Sequence, residues 1–184
     1  MRVVPLMTVS DLDDLPEDGN RYELIEGELF VSKAPGITHQ LTFGTLFDAF
    51  STYLKSNPIG KIIATPGLVL SDLDAVIPDL VFIPNKRLAE VISGERLIGP
   101  PDLVVEILSA GRENETRDRV AKRQLYGKFG VLEYWILDPR NRVIEVYLLE
   151  QGVLEPKGAA GADDEIISTV LPGFHCRTSE LFAA

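Results

Sequence analysis

Cysteine is nearly absent: Cys176 stands alone in 184 residues, which excludes an internal disulfide and a cysteine-rich zinc site. Such usage fits a reducing compartment. Long apolar runs are missing as well. The longest are strand-sized, far short of the roughly 18 residues that cross a bilayer, and the opening "MRVVPLMTVSDLDDLP" turns acidic too early for a secretion signal. The expectation is a soluble, cytoplasmic protein with no membrane partner. Positive charge is scarce, with 18 Lys and Arg against 28 Asp and Glu. The resulting net charge of −10 excludes a surface coated all over with nucleic acid, because phosphate neutralisation needs cations facing the polyanion. There is no Gly-rich phosphate loop, no repeat beyond one twinned motif and no base-reading motif.

What is present is core material. At 45% hydrophobic residues the chain can fill one domain spanning residues 1–184, and it is too short for two. "TVSDLDDLPED" reads as a short capped helix or turn, with Thr8 or Ser10 as the cap. "RYELIEGELFVSKAP" reads as a hairpin turning at Glu26-Gly27. Leu41, Thr45, Leu46, Ala49, Phe50 and Leu54 recur at helical spacing after Thr38, a candidate cap. "KIIATPGLVL" and "AVIPDLVFI" read as one strand each, followed by "PNKRLAEVISGERLIGP" as a loop. Then come the strand "PDLVVEIL", a basic helix over about residues 114–129, and a hairpin from "EYWILD" to "RVIEVYLLE" across "PRN". "GAAGADDE" reads as a loop, before a last strand and a terminal turn. Strands and helices alternate in a way that specifies an α/β fold with a mixed sheet flanked by helices.

Glu106 is the anomaly. Leu103, Val104, Val105, Ile107 and Leu108 surround it as in a strand covered on both faces, where an unpaired carboxylate would cost several kcal/mol. It must meet a cation, a hydrogen-bond network or a pocket. Asp102 is about 13 Å away along the strand, too far to share an ion, and is assigned to the turn entering the strand. A neighbouring strand only ~4.8 Å away can supply a second carboxylate. Asp79, in the twin motif "PDLVFI", is that candidate, since Pro78 before it marks a strand entry. On the basic helix, Ala121, Leu125 and Phe129 form the expected buried stripe, and Asp118, Lys122 and Tyr126 run along its flank. Lys122 can lay its stem along the core and aim its ammonium at the acids. Two acids holding magnesium with a lysine beside them suit phosphodiester hydrolysis. Residues 112–128 carry six basic residues against three acids, so Arg112, Arg117, Arg119 and Arg123 are candidate phosphate contacts, the alternative being a solvated helix face with ion pairs.

With Asp79, Glu106 and Lys122 in view, the chain resembles the Uma-type endonuclease family of the PD-(D/E)xK, restriction-endonuclease-like superfamily. The resemblance covers nearly the whole chain. It is carried by "RYELIEGEL", His39, "PDLVFI", "PDLVVEILS", the spacing Asp118, Lys122, Tyr126, then "GVLEYWILDP" and "LPGF". It implies a restriction-endonuclease-like core with added hairpins, and a site in which Asp79 and Glu106 ligate magnesium or manganese. The superfamily places its lysine two residues after the second acid, which here is Leu108, so the role passes to Lys122 on the next helix. Glu23, in the first hairpin, is a candidate third acid or base, and His39 a candidate proton acceptor, phosphate contact or ligand. His175 is read as structural. The expected activity is hydrolysis of DNA, with a homodimer matching the two-fold symmetry of a duplex cut. The alternatives are a binding or assembly module that kept the fold and lost the reaction, and a purely structural acid cluster answered by arginines.

Overall fold

A computed structural model describes residues 5–109, 111 and 115–182. Thr8 caps the short helix α1 (Val9–Leu12), its amide donating to Asp11 Oδ2 at 2.7 Å. Strands β1 (Arg21–Ile25) and β2 (Glu28–Ser32) form the expected hairpin, turning where Glu26 and Gly27 both take positive φ, 52° and 78°. Helix α2 spans Ile37–Ser56 and is capped by Gly36 rather than Thr38, whose carbonyl instead accepts the Thr42 hydroxyl inside the helix.

The two runs expected as single strands are four. "KIIATPGLVL" divides into β3 (Gly60–Ala64) and β4 (Leu68–Ser71), and "AVIPDLVFI" into β5 (Asp74–Val76) and β6 (Leu80–Pro84). Pro66 and Pro78 lack the amide hydrogen a continuous ladder needs, and Thr65 takes positive φ. At these breaks the chain crosses between sheets, β4 and β5 pairing in one and β3 and β6 in the other. The following expected loop is instead ordered as a tight turn (Asn85–Arg87), helix α3 (Leu88–Val91) and a small hairpin of β7 (Ile92–Ser93) and β8 (Arg96–Leu97).

Strand β9 (Leu103–Ile107) is buried throughout and central, antiparallel to β6 and parallel to β10 (Glu133–Asp138). The larger, mixed sheet runs β12-β11-β10-β9-β6-β3 with β11 (Val143–Glu150) and β12 (Val153–Ala160). The second sheet runs β2-β1-β5-β4-β8-β7. Gly158–Ala160, expected in a loop, belong to β12, and the tail forms two strands rather than one, β13 (Glu165–Ile167) and β14 (His175–Arg177), before helix α5 (Thr178–Leu181).

The basic helix α4 contains a π-helical turn, Arg117–Lys122, and continues as α-helix over Arg123–Phe129. It ends on Gly130, whose φ of 89° closes the last turn. The wider π turn rotates the register, so the buried side is Asp118, Lys122, Leu125 and Tyr126, while Ala121 and Phe129 are only half-buried. Gly127 lets the helix lie against β12, since a Cβ there would come within 3.1 Å of the Leu154 amide.

Two cores sandwich the larger sheet. One joins Val81, Ile83, Val104 and Leu108 to Leu125 and Tyr126 of α4 and to the second sheet. The other joins Leu80, Phe82, Leu103, Val105 and Ile107 to Leu46 and Phe50 of α2. No described helix is long and apolar enough to cross a membrane.

Candidate active site

Side chains alternate along β6 and β9, so Asp79 shares the α4-side face with Val81, and Glu106 shares it with Val104. The antiparallel register pairs Leu80 with Val105, which sets Asp79 beside Glu106 at the end of the sheet. The Ile107 amide donates across the strands to Asp79 Oδ2 at 2.8 Å. The second carboxylate therefore does come from the adjacent strand. Asp102 lies apart, its carboxylate paired with Arg87 rather than capping a turn.

From α4, Lys122 Nζ reaches Glu106 Oε1 at 2.9 Å and Glu23 Oε1 at 2.8 Å, with Asp118 Oδ1 at 3.8 Å. Tyr126 donates its hydroxyl to the same Glu106 oxygen at 2.7 Å. Asp79 takes Arg21 at 3.3 Å and His39 Nε2 at 3.0 Å. His39 Nδ1 is the one buried side-chain polar atom without a partner among the described residues. Arg117 faces Glu23 at 3.6 Å and Asp118 at 3.4 Å. All these groups except Tyr126 line one cleft of about 390 Å³, whose outer wall is the β2–α2 connection.

Four carboxylates thus face three fixed cations. Burial raises the pKa of Glu106, Lys122 opposes it, and the charges of Asp118, Asp79 and Glu23 add to the rise, leaving it at about 8. Burial also works against Glu23 and Asp79, but Lys122, Arg117 and the Ile77 amide outweigh it for the first, and His39 and the Ile107 amide for the second, so both are lowered. The acids around Lys122 overcome its burial and hold it firmly protonated.

The donor set suits a hard divalent cation only in part. Among the described residues no three His, Cys, Asp or Glu side chains converge into a ready-made cage. Two carboxylates on neighbouring strands, one of them carrying a displaceable proton, do match magnesium, which is commonly held by one or two carboxylates with water and substrate oxygens completing its shell.

Of the sequence candidates, Glu23, His39, Asp79, Glu106, Lys122 and Arg117 meet at this cleft. Two of the arginines do not. Arg119 is tied to Glu115, Asp138 and Glu145, and Arg123 lies 5.2 Å over the Tyr147 ring, so neither lines the cleft. Arg112 lies outside the described residues. Sequence reasoning missed Arg21 as a site member, although its place two residues before Glu23 on one strand puts both on one face. Asp118, placed by the sequence on the helix flank without a role of its own, is buried beside Lys122.

The model of a family described as "Putative restriction endonuclease" matches residues 9–179. A solved structure from Anabaena variabilis, described as a "putative nuclease belonging to DUF820", shares the fold at a TM-score of 0.79 and 20% identity, covering 96% of this chain and 98% of that one. No curated protein matches the sequence. The match over residues 9–179 places the chain in the Uma2 family.

Proposed function

We propose that the chain is a metal-dependent nuclease that hydrolyses DNA phosphodiester bonds, with magnesium or manganese as cofactor. The observation that carries the reading is the convergence of Asp79 and Glu106 from adjacent strands with the buried ammonium of Lys122 on one cleft. Asp79 and Glu106 would hold the cation, which when bound polarises a phosphodiester and supplies a water of lowered pKa. Lys122, kept charged by its neighbours, stabilises negative charge building on the phosphate. Glu23 fixes the ammonium from the far side, and His39 fixes Asp79 through Oδ2. Arg117, which lines the cleft, grips backbone phosphate, and Arg112 is a candidate for the same role from the sequence alone. If both strands of a duplex are cut, a two-fold dimer is the fitting assembly. The test is purified protein with magnesium or manganese at low salt on duplex, single-stranded and branched DNA. Cleavage should disappear in Asp79→Ala, Glu106→Ala and Lys122→Ala, and intact substrates throughout would refute the reading.

A second reading is favoured by one specific observation: both acids are already answered by protein cations or hydrogen-bond donors. On it, the chain is a catalytically inactive binding or assembly module. It requires that divalent cations leave the melting temperature unchanged.

A further inference from the structure

We infer that the cleft accepts an unpaired DNA strand and excludes an intact duplex, an inference resting on the nuclease reading above. Depth is the first argument. Glu23, Asp79, Glu106 and Lys122 are exposed by only 2%, 3%, 3% and 1%, so the groups that would meet a phosphate sit below the rim. Val31 near the end of β2 and Lys33 and Pro35 of the β2–α2 connection wall the cleft together with Ser109 and Arg117. A phosphate must descend between these walls to reach the acids. In B-form DNA each phosphate is held in a stacked, paired rod beside neighbours on its own strand and across grooves of about 6 and 12 Å, so lowering one singly into a depression costs deformation of the duplex. An unpaired strand has free backbone torsions and can lower one phosphodiester into a space of about 390 Å³.

The lining supplies the second argument. Among the described residues no Phe, Tyr or Trp lines the cleft, and His39 is the one aromatic ring there. Sites that hold single strands by their bases use stacking platforms, so this one grips backbone. Among the described residues its cations besides Lys122 are Arg21, Lys33 and Arg117, enough for about three phosphates, with Arg112 the candidate for a fourth. A duplex carries one charge per ~1.7 Å of axis and would meet the field of a protein of net charge −10 with few contacts to offset it. A single strand brings fewer phosphates near that surface.

The experiment uses one labelled sequence in three forms with magnesium or manganese: single strand, full duplex, and duplex with a single-stranded arm. Cutting should fall in the unpaired strand and the arm, with the paired region slower by about tenfold or more. Equal rates on the full duplex would overturn the inference and leave the nuclease reading standing. No cutting of any form would overturn both. Independently, anisotropy titrations of the single strand should give a salt slope no steeper than about −3, from about 0.7 for each phosphate met by Arg21, Lys33, Arg117 and Arg112. Lys33→Ala should weaken that binding severalfold and make the slope shallower by about 0.7, with an unchanged melting temperature. A slope near −5, or a Lys33→Ala protein that binds as tightly as the parent, would refute the short footprint.

Discussion

The ammonium of Lys122 meets the carboxylate of Glu106 at 2.9 Å although sixteen residues and a change of element separate them. The position two residues beyond Glu106 on the same face of the chain, Leu108, is instead packed in the core with Leu125 and Tyr126. The cation is therefore delivered from above the sheet, and it is shared with Glu23. Lys122→Ala leaves two buried carboxylates without their common partner. Removing one member of a buried pair typically costs about 3–5 kcal/mol, so a large fall in the urea midpoint is expected. A midpoint within error of the parent would show that the acids do not depend on this ammonium.

The proton on Glu106 sets a pH dependence of the metal-free protein. Its folded-state pKa of about 8 lies above its ordinary 4.5, so the folded chain holds a proton that the unfolded chain has released. That contribution is complete below the ordinary value and is lost as pH rises through about 8. Glu23 and Asp79 act oppositely, their lowered pKa values adding stability that disappears in acid. Stability should thus decline from about pH 5 to about pH 8 and level off above that. Glu106→Gln mimics the protonated acid and should flatten the decline; parallel curves for the two proteins would assign it to another group.

Cation binding should compete with that same proton. Magnesium, manganese or calcium at about a hundred times its dissociation constant would stabilise the fold by about 2.7 kcal/mol. The rise in melting temperature should be larger near pH 9, where Glu106 has lost its proton, and should vanish in Asp79→Asn. Scans that do not move with any of the three ions would remove the metal from the mechanism and favour the inactive module.

The strand carrying Glu106, its neighbour carrying Asp79 and the lysine helix were legible because alternation and the twinned Pro-Asp-Leu-Val motif are local signals. The two-sheet arrangement was not. Pro78 read as a strand entry and Pro66 lay inside a run read as one strand, and nothing local says that a break sends the chain into another sheet. The π turn at Arg117–Lys122 was equally hidden, since a 3.6-residue period cannot reveal one widened turn, and it misplaced Ala121 and Phe129 in the buried stripe. The arginines were visible as a charge run but not their partners. Arg119 is neutralised by Asp138 and Glu145, which arrive from β10 and β11.

Glu133 received no role from the sequence, yet it is wholly buried at the start of β10. Its Oε1 accepts from Trp135 Nε1 at 2.6 Å, and its Oε2 from the Thr169 amide and hydroxyl at 2.8 and 2.6 Å and from the Val170 amide and Ser168 hydroxyl at 3.2 Å. The partners of Oε2 belong to the 168–170 turn between β13 and β14, so one carboxylate fastens the tail to the central sheet. It lies in no part of the candidate active cleft. Glu133→Ala would leave several buried donors unsatisfied, at about 1–3 kcal/mol each, and should lower stability by at least about 3 kcal/mol. Glu133→Gln, which keeps the acceptor oxygen but brings an amide hydrogen against donors, should fall between the two. Where either variant still folds, its cleavage rate per folded molecule should match the parent. A selective loss of cleavage at full stability would mean that the tail, and not only the sheet end, shapes the cleft.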